Sequence, residues 1–425
     1  MSNKVSSRAP CVVVTSPPLK IEKSDECRRE KHLPIDLKKP RALATKFEVN
    51  SVSLKEPGDN GDSTTKSSQK LAAESVTSRQ ARKRKIYHDS DDEEEDEEET
   101  SIACDKHLHK KSRANPHQDE SVHLEWENLD LLEEKDVAMV TEYTNDIFDH
   151  LYERELKMTP KCNYLLEKES KYYLRPGLRA ILVDWLVEVH EKFRCVQETL
   201  LLALNIMDRF LSTNKVTVSK LQLLAVTSLF IAAKFEEINL PKLSNYAYIT
   251  DGAASTEDIK SAELFMLRSL NFDLAWPNPL NFLRRISKAD YYDPKTRLIA
   301  KYLLEYAYCC PKFVHLRASY VSAMAMYIAR KIAISPSQND KSTTWNATFI
   351  HYSGNIDADH DKRFQKNCEA LIEDIAYPST KLEALNRKYS DTRYHGVYSK
   401  VFKWCKEHCE EKKKKKQKGE DKNTE

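Results

Sequence analysis

The stretch K-L-Q-L-L-A-V-T-S-L-F-I-A-A-K-F-E-E, Lys220 to Glu237, decides the fold. From Leu221 to Ala233 apolar and small residues cover every face, and a helix that is apolar all round belongs at the centre of a bundle. A membrane span takes about 20 apolar residues. This run is shorter and is bounded by Lys220 and Lys234, so it reads as a core helix, with no membrane partner. Ala225, Thr227, Ser228, Ala232 and Ala233 leave room for close neighbours.

Working outward, four more helical segments accompany it: Leu178 to Phe193, Glu198 to Leu211, Leu243 to Thr250 and Thr256 to Leu270. Ser219 and Ser255 suit N-caps, and Asp251-Gly252 suits a stop. A second set follows in the same order: Pro279 to Ile286, Asp293 to Tyr308, Ala318 to Ile332, Trp345 to Tyr352 and Asp361 to Ile375. Setting L-F-I-A-A-K-F beside M-Y-I-A-R-K-I places Lys234 on Lys331, which reads as a repeat of about 100 residues. Ahead of both, D-V-A-M-V-T-E-Y-T-N-D-I-F-D-H-L-Y-E-R-E-L from Asp136 reads as one long amphipathic helix, with Val137, Val140, Tyr143, Ile147 and Leu151 as its apolar stripe. The expectation is an all-α protein: a disordered arm over 1–120, a helix and linker over 121–176, five-helix repeats over 177–276 and 277–378, and a C-terminal tail over 379–425, in which the pattern thins beyond Tyr389 and the charge run Lys412 to Lys416 reads as solvated.

Composition removes several classes. Only 7 glycines occur in 425 residues, against tight-turned β architecture, and no group of them makes a dinucleotide fingerprint or phosphate loop. No cofactor is expected. Ten scattered cysteines and no apolar leader after Met1 suit a reducing cytosolic or nuclear compartment. Cys405, His408 and Cys409 lack the second pair that a zinc site needs, so no metal is expected. The net charge of +2 conceals segregation. In the arm, Arg82-Lys83-Arg84-Lys85 suits a nuclear-import groove or is a bland basic patch, and the acidic run from Ser90 follows it. The expected location is nuclear, also cytoplasmic. Ser16, before Pro17, and Ser90 suit phosphorylation, whose effect is local charge.

The motifs L-R-A-I-L-V-D-W-L-V-E-V-H, T-L-L-L-A-L-N-I-M-D-R-F-L, L-F-I-A-A-K-F-E-E-I and N-F-L-R-R-I-S-K-A-D, in that order, resemble the B-type cyclins, fungal ones in particular. The resemblance covers about Asp136 to Tyr377. It implies a non-catalytic regulatory subunit that binds and activates a cyclin-dependent protein kinase, helps select its substrates and controls cell division.

On the helix from Thr256, the acid Glu263 shares a face with Met266, Leu267 and Leu270, and an acid in such a stripe needs a partner. By the resemblance, Lys234 and Glu263 reach backbone groups of the kinase's regulatory helix while Phe235, Leu267 and Phe272 pack on it. The plainer reading is that Lys234 complements its own helix's dipole and Glu263 has an internal partner. The helix Leu178 to Phe193 has two apolar faces: Val183, Leu186, Val187 and His190, the last read as core, and Leu178, Ile181, Leu182, Trp185 and Val189. By the resemblance, Leu178, Ile181, Leu182 and Trp185, with Glu188, Leu221 and Gln222, form an exposed groove for Arg-x-Leu motifs of substrates and inhibitors; the alternative for Trp185 is core. Leu178 stands where many family members have Met. The resemblance also implies an internal ion pair, Arg179 with Asp208, and a phosphate pocket at Arg284, Arg297 and Lys301. A ubiquitin-ligase degron is implied in the arm, where Arg41, Leu43 and Asn50 are offered, although position 44, where the pattern calls for Leu, is Ala.

Two other classes compete. Twin-repeat helical transcription adaptors, resembling transcription factor IIB, bind DNA and polymerase and need a basic face. Here Asp184, Glu188, Glu236, Glu237 and Glu263 mingle with the bases, so no nucleic-acid partner is expected. An enzyme needs a nucleophile, base and oxyanion constellation, and none is readable.

Overall fold

The computed structural model describes residues 126–161, 163–333 and 345–421, and every regular element among the described residues is helical. Helix α1 (Thr144–Lys157) precedes a group of five: α2 (Pro176–Phe193), α3 (Gln197–Leu211), α4 (Leu221–Glu236), α5 (Leu243–Ile249) and α6 (Thr256–Ser269). A second group of five follows: α7 (Pro279–Ser287), α8 (Pro294–Cys309), α9 (Ala318–Ala333), α10 (Ala347–Tyr352) and α11 (Lys362–Ala376). Then come α12 (Glu383–Ser390) and α13 (Val397–Asp421). The fold is all-α with two tandem five-helix repeats, the class expected from the sequence.

The third helix is the hub of each repeat. Helix α4 packs on α2, α3, α5 and α6, and α9 packs on α7, α8 and α11. Every residue from Leu224 to Ala233 is buried, as is every residue from Val321 to Ala329. Polar atoms inside these hubs close on carbonyls: Ser228 donates to Leu224 O at 2.9 Å, and Ser322 to Pro279 O at 2.8 Å, tying α9 to the start of α7. One sequence argument needs correction here. Val218–Glu236 is in fact long and apolar enough to cross a membrane; what marks α4 as a core helix is that its apolar faces are covered by four helices of its own repeat.

Ser255 caps α6 in a reciprocal box, its Oγ accepting from the Asp258 N–H at 3.0 Å while Asp258 Oδ2 accepts from the Ser255 N–H at 3.0 Å. Ser219 does not cap α4. It lies inside a 3₁₀ turn, Val218–Lys220, that runs into the helix, so the Leu221 N–H already meets Val218 O. Asp251 and Gly252, both at positive φ, end α5 as expected.

The long N-terminal helix is broken. Two single 3₁₀ turns, Val137–Met139 and Thr141–Tyr143, are separated by Val140 at φ 50°, and only then does α1 begin. Val137, Val140, Tyr143 and Ile147 are exposed. The face that docks carries Phe148, Leu151, Tyr152 and Glu155, with the Phe148 and Tyr152 rings 6.2 and 5.3 Å from Phe282. Glu155, 1% exposed, accepts from the Ser319 N–H at 2.9 Å and its Oγ at 2.7 Å, so a side chain of α1 satisfies the free amide end of α9. Burial pushes the Glu155 carboxyl above its ordinary range, although the Ser319 bonds pull it back.

Residues beyond 378 are not simply a tail. Leu382, Leu385 and Tyr389 are buried, as are Val397, Val401, Cys405 and Cys409 on one face of α13, which packs on α11. Helix α12 bridges the repeats: Ala384 N–H donates to Asp184 Oδ1 of α2 at 2.8 Å, and Lys388 meets Glu305 of α8 at 2.9 Å and Glu191 of α2 at 3.3 Å. Lys412 to Lys415 are exposed on α13, where Lys412 pairs with Glu369 at 2.8 Å. His408 also turns to Glu369, at 3.2 Å, while Cys405 and Cys409 face inward.

Arg179, with no exposed surface, grips Asp208 through Nε at 2.9 Å and Nη2 at 2.7 Å and donates to the Cys309 and Tyr308 carbonyls at 2.9 and 3.0 Å. Tyr164 donates to the same Asp208 carboxylate at 2.6 Å. Removing one partner of such a pair strands a buried charge, so Asp208→Ala should cost about 3–5 kcal/mol in denaturant unfolding. At Glu155 the folded pKa is raised, so this group's stabilisation is full at acid pH and lost as pH rises through the folded value. Glu155→Gln keeps the acceptor without the charge. Its stability relative to the parent should therefore rise as pH increases from the ordinary carboxylate range through the raised folded value, as read from denaturation midpoints.

Candidate functional site

Because the middle of α4 is buried on all sides, only its two ends reach the surface, and the last turn is the more exposed. There Lys234 Nζ bonds Glu263 Oε1 and Oε2 of α6 at 2.6 and 2.9 Å and sits 4.3 Å over the Phe230 ring. The lysine is 44% exposed and the glutamate 14%. Glu263 thus has an internal partner, as the plainer reading of the sequence held, but the couple stands at the surface. Exposed apolar side chains surround it in sequence: Phe235, Ile238 and Leu240 at and beyond the end of α4, Leu264 and Phe265 on α6, and Phe272 after α6. Phe235 and Phe272 are 52% and 62% exposed, while Leu267 is half-buried.

Phe272 is held there at a cost. It follows Asn271, and both have positive φ, 51° and 56°, a region non-glycine residues seldom occupy. The geometry closes α6: Asn271 N–H donates to Arg268 O at 3.1 Å and Phe272 N–H to Leu267 O at 2.8 Å. Strained backbone that keeps an aromatic ring in water points to a surface that something covers. An ion couple within an apolar surface can receive a protein; it offers no nucleophile or proton relay.

Family comparison agrees with the architecture. Residues 146–275 match the model of the cyclin N-terminal domain and residues 277–403 that of the cyclin C-terminal domain. S-phase entry cyclin-6 of Saccharomyces cerevisiae is 55% identical over 283 residues, 67% of this chain and 73% of that protein. The chain belongs to the cyclins. S-phase entry cyclin-5 of the same yeast is 63% identical over 280 residues, 66% of this chain and 63% of that protein. The G2/mitotic-specific cyclin CLB2 of Candida albicans is 49% identical over 246 residues, 58% of this chain and 47% of that protein. This cyclin therefore spans between about half and three quarters of these relatives' lengths.

The expected peptide groove is altered by the structure. Leu182, Trp185 and Leu221 are at most 1% exposed and Leu178 is 8%, so they are core and not an open apolar floor; only Ile181, Glu188 and Gln222 reach the surface in part. The physical reason is that α2 is packed between α4 on one side and α12 on another, which leaves little of its second stripe free. Glu188 pairs with Lys192 at 3.8 Å, and Gln222 donates to Thr250 O at 3.2 Å. His190 is core, 1% exposed, with Nε2 2.8 Å from Val196 O.

Of the three cations expected to hold phosphate, two flank one tyrosine. Arg297 lies 5.6 Å over the Tyr292 ring, and the charges of both Arg284 and Arg297 act on its hydroxyl. Lys301 is one turn further along α8 and half-buried. An acid already occupies the neighbourhood: Glu133 accepts from the Tyr292 hydroxyl at 2.9 Å and forms an ion pair with Lys288 at 2.7 Å. The import cluster Arg82 to Lys85 and the degron residues Arg41, Leu43 and Asn50 lie outside the described residues.

The sequence reading missed Ile238, Leu240, Leu264 and Phe265. The signal was present, since apolar residues persist past the end of α4 and on the outer side of α6, where a monomer has no use for them. If Phe272 is kept for its ring, Phe272→Gly should relieve about 1 kcal/mol of backbone strain. The midpoint of thermal unfolding should then rise by about 2 °C while association with the partner weakens.

Proposed function

We propose that this cyclin is a regulatory subunit that binds and activates a cyclin-dependent Ser/Thr protein kinase, with no catalysis of its own, in S phase or at the passage from G2 to mitosis. The observation that carries this is the Lys234–Glu263 couple amid exposed Phe235, Ile238, Phe265 and Phe272. In the free protein the two charges satisfy each other. On binding, the lysine supplies donors to carbonyls, the carboxylate accepts from N–H groups of the kinase's regulatory helix, and the apolar residues cover that helix's flank. Activation follows as a population shift: the surface binds only a kinase conformer whose catalytic Lys–Glu pair and activation loop are in place.

Three finer readings attach to this one. Substrates and inhibitors with Arg-x-Leu motifs dock along α2, where Ile181, Glu188 and Gln222 supply what surface there is. A phosphorylated Ser or Thr sits between Arg284 and Arg297, displacing Glu133 from Tyr292. The Arg82 to Lys85 cluster directs the chain to the nucleus, and the stretch from Arg41 to Asn50 meets a ubiquitin ligase. The family assignment leaves no observation in favour of the transcription-adaptor reading.

The test is co-purification of a cyclin-dependent kinase with the wild-type chain and with a Lys234→Ala, Glu263→Ala double variant, read by mass spectrometry and histone phosphorylation. Circular dichroism and the thermal midpoint of the double variant are read alongside, so that loss of the couple is separated from loss of the fold. Losing a central desolvated couple costs about 2 kcal/mol, or roughly thirty-fold in affinity, and kinase recovery and activity should fall together. Equal recovery by the two proteins would exclude this assignment.

A further inference from the structure

A cleft of about 510 Å³ opens on the second repeat, between α8, the segment joining α11 to α12, and α13. Its floor is formed by Tyr302 and Tyr306, whose hydroxyls are engaged internally: Tyr306 donates to the Asp374 carbonyl at 2.9 Å and Tyr302 to Asn386 Oδ1 at 3.4 Å. Both rings are buried, 0% and 2% exposed, so the aromatic surface the cleft offers comes from α13 and the joining segment. On α13, Tyr398 stands edge-on to Tyr302 at 6.3 Å and Phe402 lies nearly parallel to Tyr398 at 5.6 Å between ring centres. Across from them Tyr377 is 48% exposed, with Lys413 Nζ 4.4 Å over its ring.

The charge around this aromatic trough is unbalanced. Lys381 and Lys406 line it against a single acid, Glu383, and Lys413 adds a third cation beside Tyr377. Some lysines of the protein close on carboxylates, as Lys288 does on Asp130 at 2.6 Å, Lys312 on Asp374 at 2.6 Å, Lys388 on Glu305 at 2.9 Å and Lys412 on Glu369 at 2.8 Å. Neither Lys381 nor Lys406 has such a partner among the described residues, and Lys406 instead lies 4.7 Å over the Phe402 ring.

We propose that this cleft docks a short acidic linear peptide from a partner protein. One large apolar side chain seats among Tyr377, Tyr398 and Phe402, and flanking Asp or Glu carboxylates meet Lys381 and Lys406. The aromatic trough supplies the anchor and the unpaired cations supply its selectivity for acids. The site shares no residue with the α4–α6 surface, so it adds a recognition element to the second repeat that does not depend on kinase binding.

The experiment selects a random dodecapeptide phage library on the full-length chain. The leading peptide is then measured by fluorescence anisotropy against wild type, a Lys381→Glu, Lys406→Glu variant and the Lys234→Ala, Glu263→Ala variant. Both reversed lysines are exposed, and circular dichroism verifies that the variant is folded. Expected are sequences that combine Asp or Glu with Phe, Trp or Leu, and an affinity that falls about ten-fold or more on charge reversal at the cleft. That affinity should recover when the peptide's acids are replaced by lysines, and the change at Lys234 and Glu263 should leave it unaltered. Enrichment of peptides without acids, or binding that charge reversal leaves unchanged, overturns the proposal. So does a concentration-dependent dimer in sedimentation that charge reversal abolishes, since the occupant is then a second copy of the chain.

Discussion

Arg179 has no contact with water, and a guanidinium in that position must find protein acceptors for its donors or remain uncharged, which it cannot do. Asp208 accepts two of its bonds, and the carbonyls of Cys309 and Tyr308, at the end of α8, accept two more. These acceptors come from both repeats. The first repeat cannot shift against the second without stranding a charge at low dielectric, so one side chain of α2 holds the two halves in register. Tyr164, from the linker before α2, completes the carboxylate's shell and draws that linker into the same network.

The other inter-repeat contacts extend this constraint. Lys388 of α12 lies between Glu305 of α8 and Glu191 of α2, and Asp184 of α2 receives the Ala384 N–H at the start of α12. Glu155 carries α1 onto α9 in the same manner, a carboxylate of one element meeting the free amide end of another. With the halves fixed and α4 enclosed, the surface left to the last turn of α4 and the outer side of α6 is rigid. That is why a surface lysine and glutamate can stand as a pair amid exposed aromatic rings without the chain rearranging to bury those rings. A binding surface formed this way loses little entropy on association.

Legibility differed sharply from one element to the next. The five-and-five helix order could be read because apolar periodicity, Pro at the starts of α7 and α8, and the Ser255 capping box are local signals. The N-terminal helix failed because its periodicity was genuine in α1 but had been extended through Val140, whose left-handed backbone nothing in the sequence announces. Residues beyond 378 were undervalued: Val397, Val401, Cys405 and Cys409 recur every four residues, but the charged residues between them and the lysines that follow hid the stripe. On α2, spacing alone showed two apolar faces and could not say which neighbour would cover the second. Packing on α4 and α12 placed Trp185 in the core.

By itself, then, the sequence determined the helices, their repetition, the hub character of α4 and the family, because each is written in residues a few positions apart. Tertiary structure alone decided which charges meet and which apolar stripes stay open. Lys388 with Glu305 and Lys234 with Glu263 are each 29 or more positions apart along the chain, as are Arg179 and Asp208, a pair that family resemblance and no local spacing implied. Whether such groups are partners or strangers depends on how whole helices pack, a property of summed side-chain volumes and buried polar satisfaction that no local pattern encodes.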